Sequence, residues 1–400
     1  MSHRFRTIEE VCVLVTDGTH YSPPDIGKGI PFLTVKDMNG NGLDFEGSSK
    51  ISEEEYKRAL LGNSAPKNGD VLFSKDGTVG KVHVLKESRR FAVLSSIAIL
   101  RPNTAILDSN YFGHILQMPQ TLDQASRKKT GSALRRIILK DLKDVKIPLP
   151  SLPEQQRIAA ILDKADALRA QRCATLAKLD TLLQATFLHL FGDPVTNPKG
   201  WEVVEFCQSP IQIIDGDRGK NYPKRDELLE SGFCLFLNTK NVSERGFRFD
   251  SCQFISKDKD QALRKGKLNR YDVVLTTRGT VGNTAYYGDD IPFQHIRINS
   301  GMVILRTKDI SLLPQFLEFY ISSTGFKKQV EQLRSGTAQP QLPINTLKKV
   351  KIPLPPIEVQ RKFIKYREFI EGIQILTRFS LDKLDNLFHS LQQRAFKGEL

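Results

Sequence analysis

Two kinds of hydrophobic pattern alternate along the chain. Ile158, Ile161, Ala165, Leu168, Cys173, Leu176, Leu179, Leu183, Phe187 and Leu190 recur at steps of mostly three and four. So do Val359, Phe363, Tyr366, Ile370, Ile373, Leu376, Leu381, Leu384, Phe388, Leu391 and Ala395. That period predicts two amphipathic helices. One five-residue step falls at corresponding places, Leu168 to Cys173 and Leu376 to Leu381. From Glu154 to Phe191 the first helix is about 57 Å long at 1.5 Å per residue, longer than a domain is wide. Packing the two helices on each other covers both stripes. The plainer alternative packs each on its own domain. Ile161, Leu168, Leu176, Leu179, Leu183, Ile373, Leu381, Leu384 and Phe388 are the expected pairing positions.

Elsewhere the pattern is short and strand-like. Residues 70–74 and 271–275 are rich in β-branched and aromatic positions and lead into glycine-bearing turns. Residues 91–94 and 97–100 are too short and too continuously apolar for amphipathic helices, so buried strands fit. Segments around 110–128 and 312–333 read as helical. The Lys-Ile-Pro-Leu-Pro stretches at 146–150 and 351–355 cannot be helical, because proline lacks an N–H and forces its predecessor into extended geometry. They read as stiff exits, and the fold class is α+β.

The chain is written twice. Asp70-Val71-Leu72 followed by Gly77-Thr78-Val79-Gly80 recurs as Asp272-Val273-Val274 followed by Gly279-Thr280-Val281-Gly282. Leu142 to Pro150 recurs as Leu347 to Pro355, and Lys178-Leu179-Asp180 as Lys383-Leu384-Asp385. Gln156-Arg157 answers Gln360-Arg361, which makes the second exit one residue shorter than the first. Asp17-Gly18 answers Asp215-Gly216, and Ile51-Ser52 answers Ile255-Ser256. The order is kept throughout, so one module has been copied. The expected organisation is a domain over 1–150, a spacer helix over 151–192, a second domain over 193–355 and a second spacer helix over 356–400. Duplicated halves with paired helices most simply lie antiparallel about a pseudo-two-fold axis. Between the anchors the halves differ, as expected of one scaffold reading two different things.

Charge narrows the partner. Lys and Arg outnumber Asp and Glu by 59 to 45, a net charge of +14. That surplus suggests a polyanion, nucleic acid or a membrane surface. Residues 1–150 and 200–350 each carry 22 basic and 17 acidic residues, which repeats the hint of duplication. Five scattered cysteines without a C-x-x-C pair fit reduced thiols in a cytoplasm. No secretory leader or membrane-spanning run is present, so a cytoplasmic, membrane-free protein is expected.

The paired exits, Leu152-Pro153-Glu154-Gln155-Gln156-Arg157-Ile158 opening the first helix, Ala395-Phe396-Lys397-Gly398-Glu399-Leu400 closing the chain, and the Gly-Thr-Val-Gly turns together resemble the specificity subunits of Type I restriction-modification systems. The resemblance covers the whole chain. It implies two target-recognition domains held apart by two antiparallel helices, each domain reading half of a bipartite, asymmetric double-stranded DNA site. It implies further that the helices set the spacing and dock two modification subunits, which carry S-adenosylmethionine and methylate adenine. Restriction subunits that hydrolyse ATP join later, and this chain itself holds no cofactor or metal. The second helix is poorer in alanine than the first, so the two docking surfaces are not expected to be equivalent.

For DNA contact the basic clusters with hydrogen-bonding neighbours stand out: Arg127, Lys128, Lys129, Arg135 and Arg136 in the first half, Lys327, Lys328, Arg334, Gln339 and Gln341 in the second. Lysines mostly neutralise phosphates, whereas Arg and Gln can pair with base edges. Arg135, Arg136, Gln339 and Gln341 are therefore the expected base readers. The plain alternative is a solvated charged loop. Lys75 and Arg278 stand just before the glycine turns, where the glycines more simply shape a hairpin. His20 and Arg218 follow the Asp-Gly pairs. A stand-alone DNA-binding regulator is the second reading; it would need no helical surface left over for partners. A self-sufficient methyltransferase or nuclease is the third. No Walker A or Rossmann glycine pattern is present. Ser22-Pro23-Pro24-Asp25 is only faintly similar to an amino-methyltransferase motif, and Asp25 with Glu55 and Lys57 is the sort of triad that arises freely in a chain with 26% charged residues.

Overall fold

The computed structural model describes residues 4–40, 42–126, 136–194, 196–333 and 341–400. The chain divides into two compact units, 1–175 with 377–400 and 176–376. This differs from four successive linear segments, because each long helix is shared between units.

In unit 1 the strand Ile97–Pro102 sits inside a four-stranded sheet whose order is Cys12–Asp17, Ile97–Pro102, Val71–Ser74, Val82–Val84. Successive side chains alternate faces. Ala98 and Leu100 enter one core with the helix residues Tyr111, Phe112 and Ile115, while Ile97 and Ile99 enter another with Leu33, Phe91 and Val93. A strand covered on both faces has no polar side to show, which is why the run reads as continuously apolar. The second face is closed by a smaller sheet of Ser49–Ile51, Ile30–Leu33 and Ala92–Val93.

Unit 2 repeats this topology. Its large sheet runs Ile211–Asp215, Met302–Thr307, Val273–Thr276, Thr284–Tyr286, and its small sheet runs Phe254–Ile255, Cys234–Leu237, Ile296–Ile298. Val303 and Leu305 face the helices, whereas Met302 and Ile304 face the small sheet. The two α+β domains share one framework. In both, a carboxylate braces the central strands through a bidentate pair: Asp70 with Arg101 at 2.7 and 2.8 Å, Asp272 with Arg306 at 2.8 and 2.7 Å.

Three sequence expectations change in detail. The helical segments are each two short helices, Ser109–Leu116 with Pro119–Ser126 and Pro314–Ser322 with Thr324–Leu333. The proline stretches are strands: Lys146–Leu149 pairs antiparallel with Arg4–Thr7, and Lys351–Leu354 with Glu202–Glu205. A two-stranded ribbon leaves each strand one free edge, where proline is tolerated. The exits are also equal in length. Gln155 accepts from Asp108 N and donates to the carbonyls of Ile106 and Pro150 at 2.8–2.9 Å; Gln360 does the same with Leu313 N, Ser311 and Pro355. Gln360 therefore corresponds to Gln155 rather than Gln156. Both amides are fully buried, and each ties the first turn of a long helix to its domain.

The long helices run Leu152–Phe191 and Ile357–Lys397. Within unit 1, Arg157 Nη2 donates to Leu400 O and Arg169 Nε to Asp385 Oδ1, at 2.7 and 2.5 Å. One helix advances as the other returns, so they pack antiparallel. Within unit 2 the order is likewise antiparallel: Gln374 donates to Asp180 at 2.7 Å, and Phe187 meets Phe363 edge-on. Arg169–Asp385 and Gln374–Asp180 are the same contact in the two copies.

The seam departs from the sequence stripe where the five-residue steps fall, and at Tyr366. Leu168, Tyr366 and Leu376 are 41, 46 and 70% exposed, and Cys173 is exposed too. In unit 1 the seam there belongs to Arg169, whose guanidinium lies 4.6 Å over the Phe388 ring, and to buried Thr377; in unit 2 it belongs to buried Gln374. Burial opposes the charge of Arg169, but Asp385 and Asp166 more than offset that and raise its pKa. Phe388 is buried, whereas Ile161, Leu176, Leu179, Leu183, Ile373, Leu381 and Leu384 are half-buried. No helix among the described residues is long and apolar enough to cross a membrane.

Candidate nucleic-acid interface

Each large sheet ends in the same glycine turn. Ser74 Oγ donates to Thr78 O at 2.6 Å and accepts from Lys81 N at 2.7 Å, while Gly80 N closes on Ser74 O at 3.0 Å. Thr276 Oγ1 donates to Thr280 O and accepts from Asn283 N, while Gly282 N closes on Thr276 O at 3.0 Å. Gly77 and Gly279 take φ of 69° and 71°. A Cβ at Gly77 would meet nothing, so left-handed backbone, not space, calls for glycine. The glycines shape the turn, as the sequence suggested.

Beside the turn stands the Asp-Gly pair. A Cβ on Gly18 would lie 2.0 Å from Val93 O, and one on Gly216 would lie 2.2 Å from Asn299 O, so only glycine lets these strands approach. The preceding aspartates are thereby fixed at the sheet edge. In unit 1, Asp17 takes Lys75 Nζ at 3.0 Å and His20 Nε2 at 3.3 Å. In unit 2, Asp215 takes Arg218 Nη2 at 3.2 Å.

This corrects the reading of Lys75. Its side chain is 4% exposed and committed to Asp17, so it supports the turn and presents no ammonium to a ligand. Nor is it the counterpart of Arg278. Ile137 N donates to Lys75 O at 2.8 Å, and Leu342 N donates to Thr277 O at 2.9 Å. Lys75 thus matches Thr277, and Arg278 matches Asp76.

The returning chain completes the site. Arg136 Nε lies 3.5 Å from Asp76 Oδ2, with both side chains exposed. At the corresponding positions of unit 2, Arg278 and Gln341 form an antiparallel bridge, and both are exposed. Asp215, Arg218, Thr277, Arg278 and Gln341 line one open cleft of about 240 Å³. Of the expected DNA contacts, Arg218, Arg278 and Gln341 are thus brought together in unit 2, and His20 and Arg136 stand around the matching turn of unit 1. Lys327 and Lys328 are exposed on the helix Thr324–Leu333, whose buried face carries Gly325, Phe326 and Val330. Arg127, Lys128, Lys129, Arg135, Arg334 and Gln339 lie outside the described residues. Asp76 was missed, although the register of the two Gly-Thr-Val-Gly turns already sets it opposite Arg278.

Chemically the surface offers exposed guanidinium and amide groups on a hydrogen-bonded turn, with a carboxylate at its base. Among the described residues no cluster of three His, Cys, Asp or Glu side chains could hold a metal ion. The thiols of Cys12 and Cys234 are pushed up to about 12, by burial first and then by Asp70 and Asp260 respectively, which leaves them inert at neutral pH.

Comparison with known proteins matches the duplicated organisation of the chain. The family described as the Type I restriction modification DNA specificity domain matches residues 4–178 and again 198–375. The Type I restriction enzyme MjaVIII specificity subunit of Methanocaldococcus jannaschii is 26% identical over 352 residues, 83% of this chain and 79% of that protein. A crystal structure of a Type I restriction-modification S subunit from M. genitalium is 16% identical and superposes with a TM-score of 0.56 over 99% of this chain and 96% of its own. A chain from a structure of a type I R-M system gives 0.58 at 18% identity, over 99% and 98%. These last two share the fold.

Proposed function

Since the chain belongs to the Type I restriction modification DNA specificity family, it is a DNA specificity subunit, and we propose that each unit reads one half of a two-part, asymmetric duplex site. The observation that carries this reading is the pairing of identical frames with unlike side chains. The same backbone positions hold His20, Asp76 and Arg136 in one unit and Arg218, Arg278 and Gln341 in the other. Two copies of one scaffold with different readers select two different half-sites. The surplus of positive charge supplies the sequence-independent attraction to phosphate.

The chemistry of modification and cleavage belongs to partners under this proposal. Two modification subunits bring S-adenosylmethionine, and restriction subunits, where present, bring ATP hydrolysis; the assembly works in the cytoplasm. The second long helix leaves Phe369, Ile375 and Leu376 exposed in unit 2 and Phe379 and Leu387 exposed in unit 1. Exposed apolar side chains on a long helix suit a protein partner. Purified chain mixed with S-adenosylmethionine and DNA is expected to transfer no methyl group alone.

Methylation mapping in cells that express this chain with its modification partner is expected to show a gapped, non-palindromic motif. Exchanging residues 127–136 for an unrelated sequence should then change bases in one half and leave the other half as it was. A palindromic motif, or a change in both halves, would sink the proposal.

A further inference from the structure

The same turn carries opposite charges in the two copies: Asp76 stands where the other unit has Arg278. The backbone around both is held by equivalent hydrogen bonds, and the residue that leads the chain back beside each is Arg136 or Gln341. Asp76 is also oriented by its own turn, since Oδ1 accepts from Gly77 N at 2.9 Å, which leaves Oδ2 toward Arg136. The contact to Asp76 uses Nε of Arg136, and among the described residues its Nη donors take no hydrogen bond. An exposed pair at 3.5 Å is weak and easily re-formed around a ligand.

A base pair offers donors and acceptors in a fixed order across the major groove. Guanine shows two acceptors, O6 and N7, and its cytosine partner shows the N4 donor. A carboxylate beside a guanidinium is the complement of that edge. Arg beside Gln complements something else: guanine for the guanidinium, and the N7 acceptor with N6 donor of adenine for the amide. We propose that these two positions form a specificity-determining pair in each unit, Asp76 and Arg136 reading a single G·C pair, Arg278 and Gln341 reading guanine next to adenine. The assignment rests on the units being readers of half-sites.

Transplanting the pair tests it. The full chain, with its modification partner, is used to select duplexes from a randomised library, and the selected sequences are compared. The double variant Asp76→Arg, Arg136→Gln should lose its G·C preference in one half-site and acquire the guanine and adenine preferred in the other half, by about ten- to hundredfold per base. Asp76→Asn keeps the shape but, with its oxygen held by Gly77 N, puts an NH2 donor where the outer acceptor oxygen stood; it should lose selection for cytosine by about tenfold. Both positions are exposed, and unchanged thermal melting checks that the fold is kept. Preferences identical to wild type in either variant, or changes confined to the other half-site, would overturn the assignment. Failure of the wild-type chain to select any motif would instead remove the DNA-reading function on which it rests.

Discussion

Replacing Asp260 with alanine is expected to lower stability by about 3–5 kcal/mol, the range seen when one member of a buried ion pair is removed. Asp260 is 2% and Arg297 5% exposed. Arg297 Nε donates to Asp260 Oδ1 at 2.5 Å and Lys267 Nζ to Oδ2 at 2.6 Å, while the other guanidinium donors go to the carbonyls of Asp260, Leu263 and Lys265. Without the carboxylate, a guanidinium is left in the interior with only carbonyl dipoles against its charge. The duplicate unit solves the same position differently. There Tyr56 and Ala92 stand in place of Asp260 and Arg297, packed with Phe32, Ile51 and Ala59. Asp260→Tyr combined with Arg297→Ala should therefore cost far less than Asp260→Ala alone, because no charge is stranded. Urea unfolding of the three proteins decides this; a single-variant loss under about 1 kcal/mol would show the pair to be dispensable.

The ion pair also sets an acid limit. Burial opposes ionisation of Asp260, but the hydrogen bonds and charges of Lys267 and Arg297 prevail and hold its carboxyl below the ordinary range. A carboxylate with a depressed folded value contributes its full stabilisation above the unfolded value, near 3.9. That contribution fades as pH falls from there through the lower folded value. Wild type should therefore lose more stability than Asp260→Ala between about pH 5 and the folded value of this group.

Phe187→Ala should cost a similar amount, about 3–5 kcal/mol, as large core truncations do. The ring is 2% exposed and meets those of Phe191, Phe319 and Phe363 at 4.8, 5.0 and 5.4 Å. Both long helices and the helix Pro314–Ser322 thus converge on one side chain, so the cavity cannot be closed by moving a single element. Calorimetry checks it, and a drop below about 1 kcal/mol would mean that the neighbours collapse into the space. At the equivalent junction of unit 1 stands Gln392, donating to His114 O at 3.1 Å. The His114 Nε2 lies 2.7 Å from Asp163 Oδ1. One junction is aromatic and the other polar, although the backbone plan is shared.

Duplication was legible in the sequence because framework residues do local work that the copies cannot drop. Glycines at left-handed turns, prolines in edge strands and a carboxylate bracing the sheet are each required by backbone geometry, so they recur at a near-constant offset. Periodicity likewise exposed the long helices, since burying one face imposes a step of three and four. The strands were legible as continuous apolar runs, but not why they were continuous: burial on both faces is a property of layers, not of a segment.

What only tertiary structure decided was which polar side chains are spent and which are offered. Lys75 and Arg278 look alike as basic residues before a turn, yet one is buried against Asp17 and the other is exposed. Arg169 and Gln374 interrupt the apolar stripes, yet both lie in the helix seam because Asp385 and Asp180 face them. Charge and hydropathy belong to a residue and can be read one position at a time. Partnership depends on what lies across space from it, 216 residues away for Arg169 and Asp385, and only the folded chain sets that.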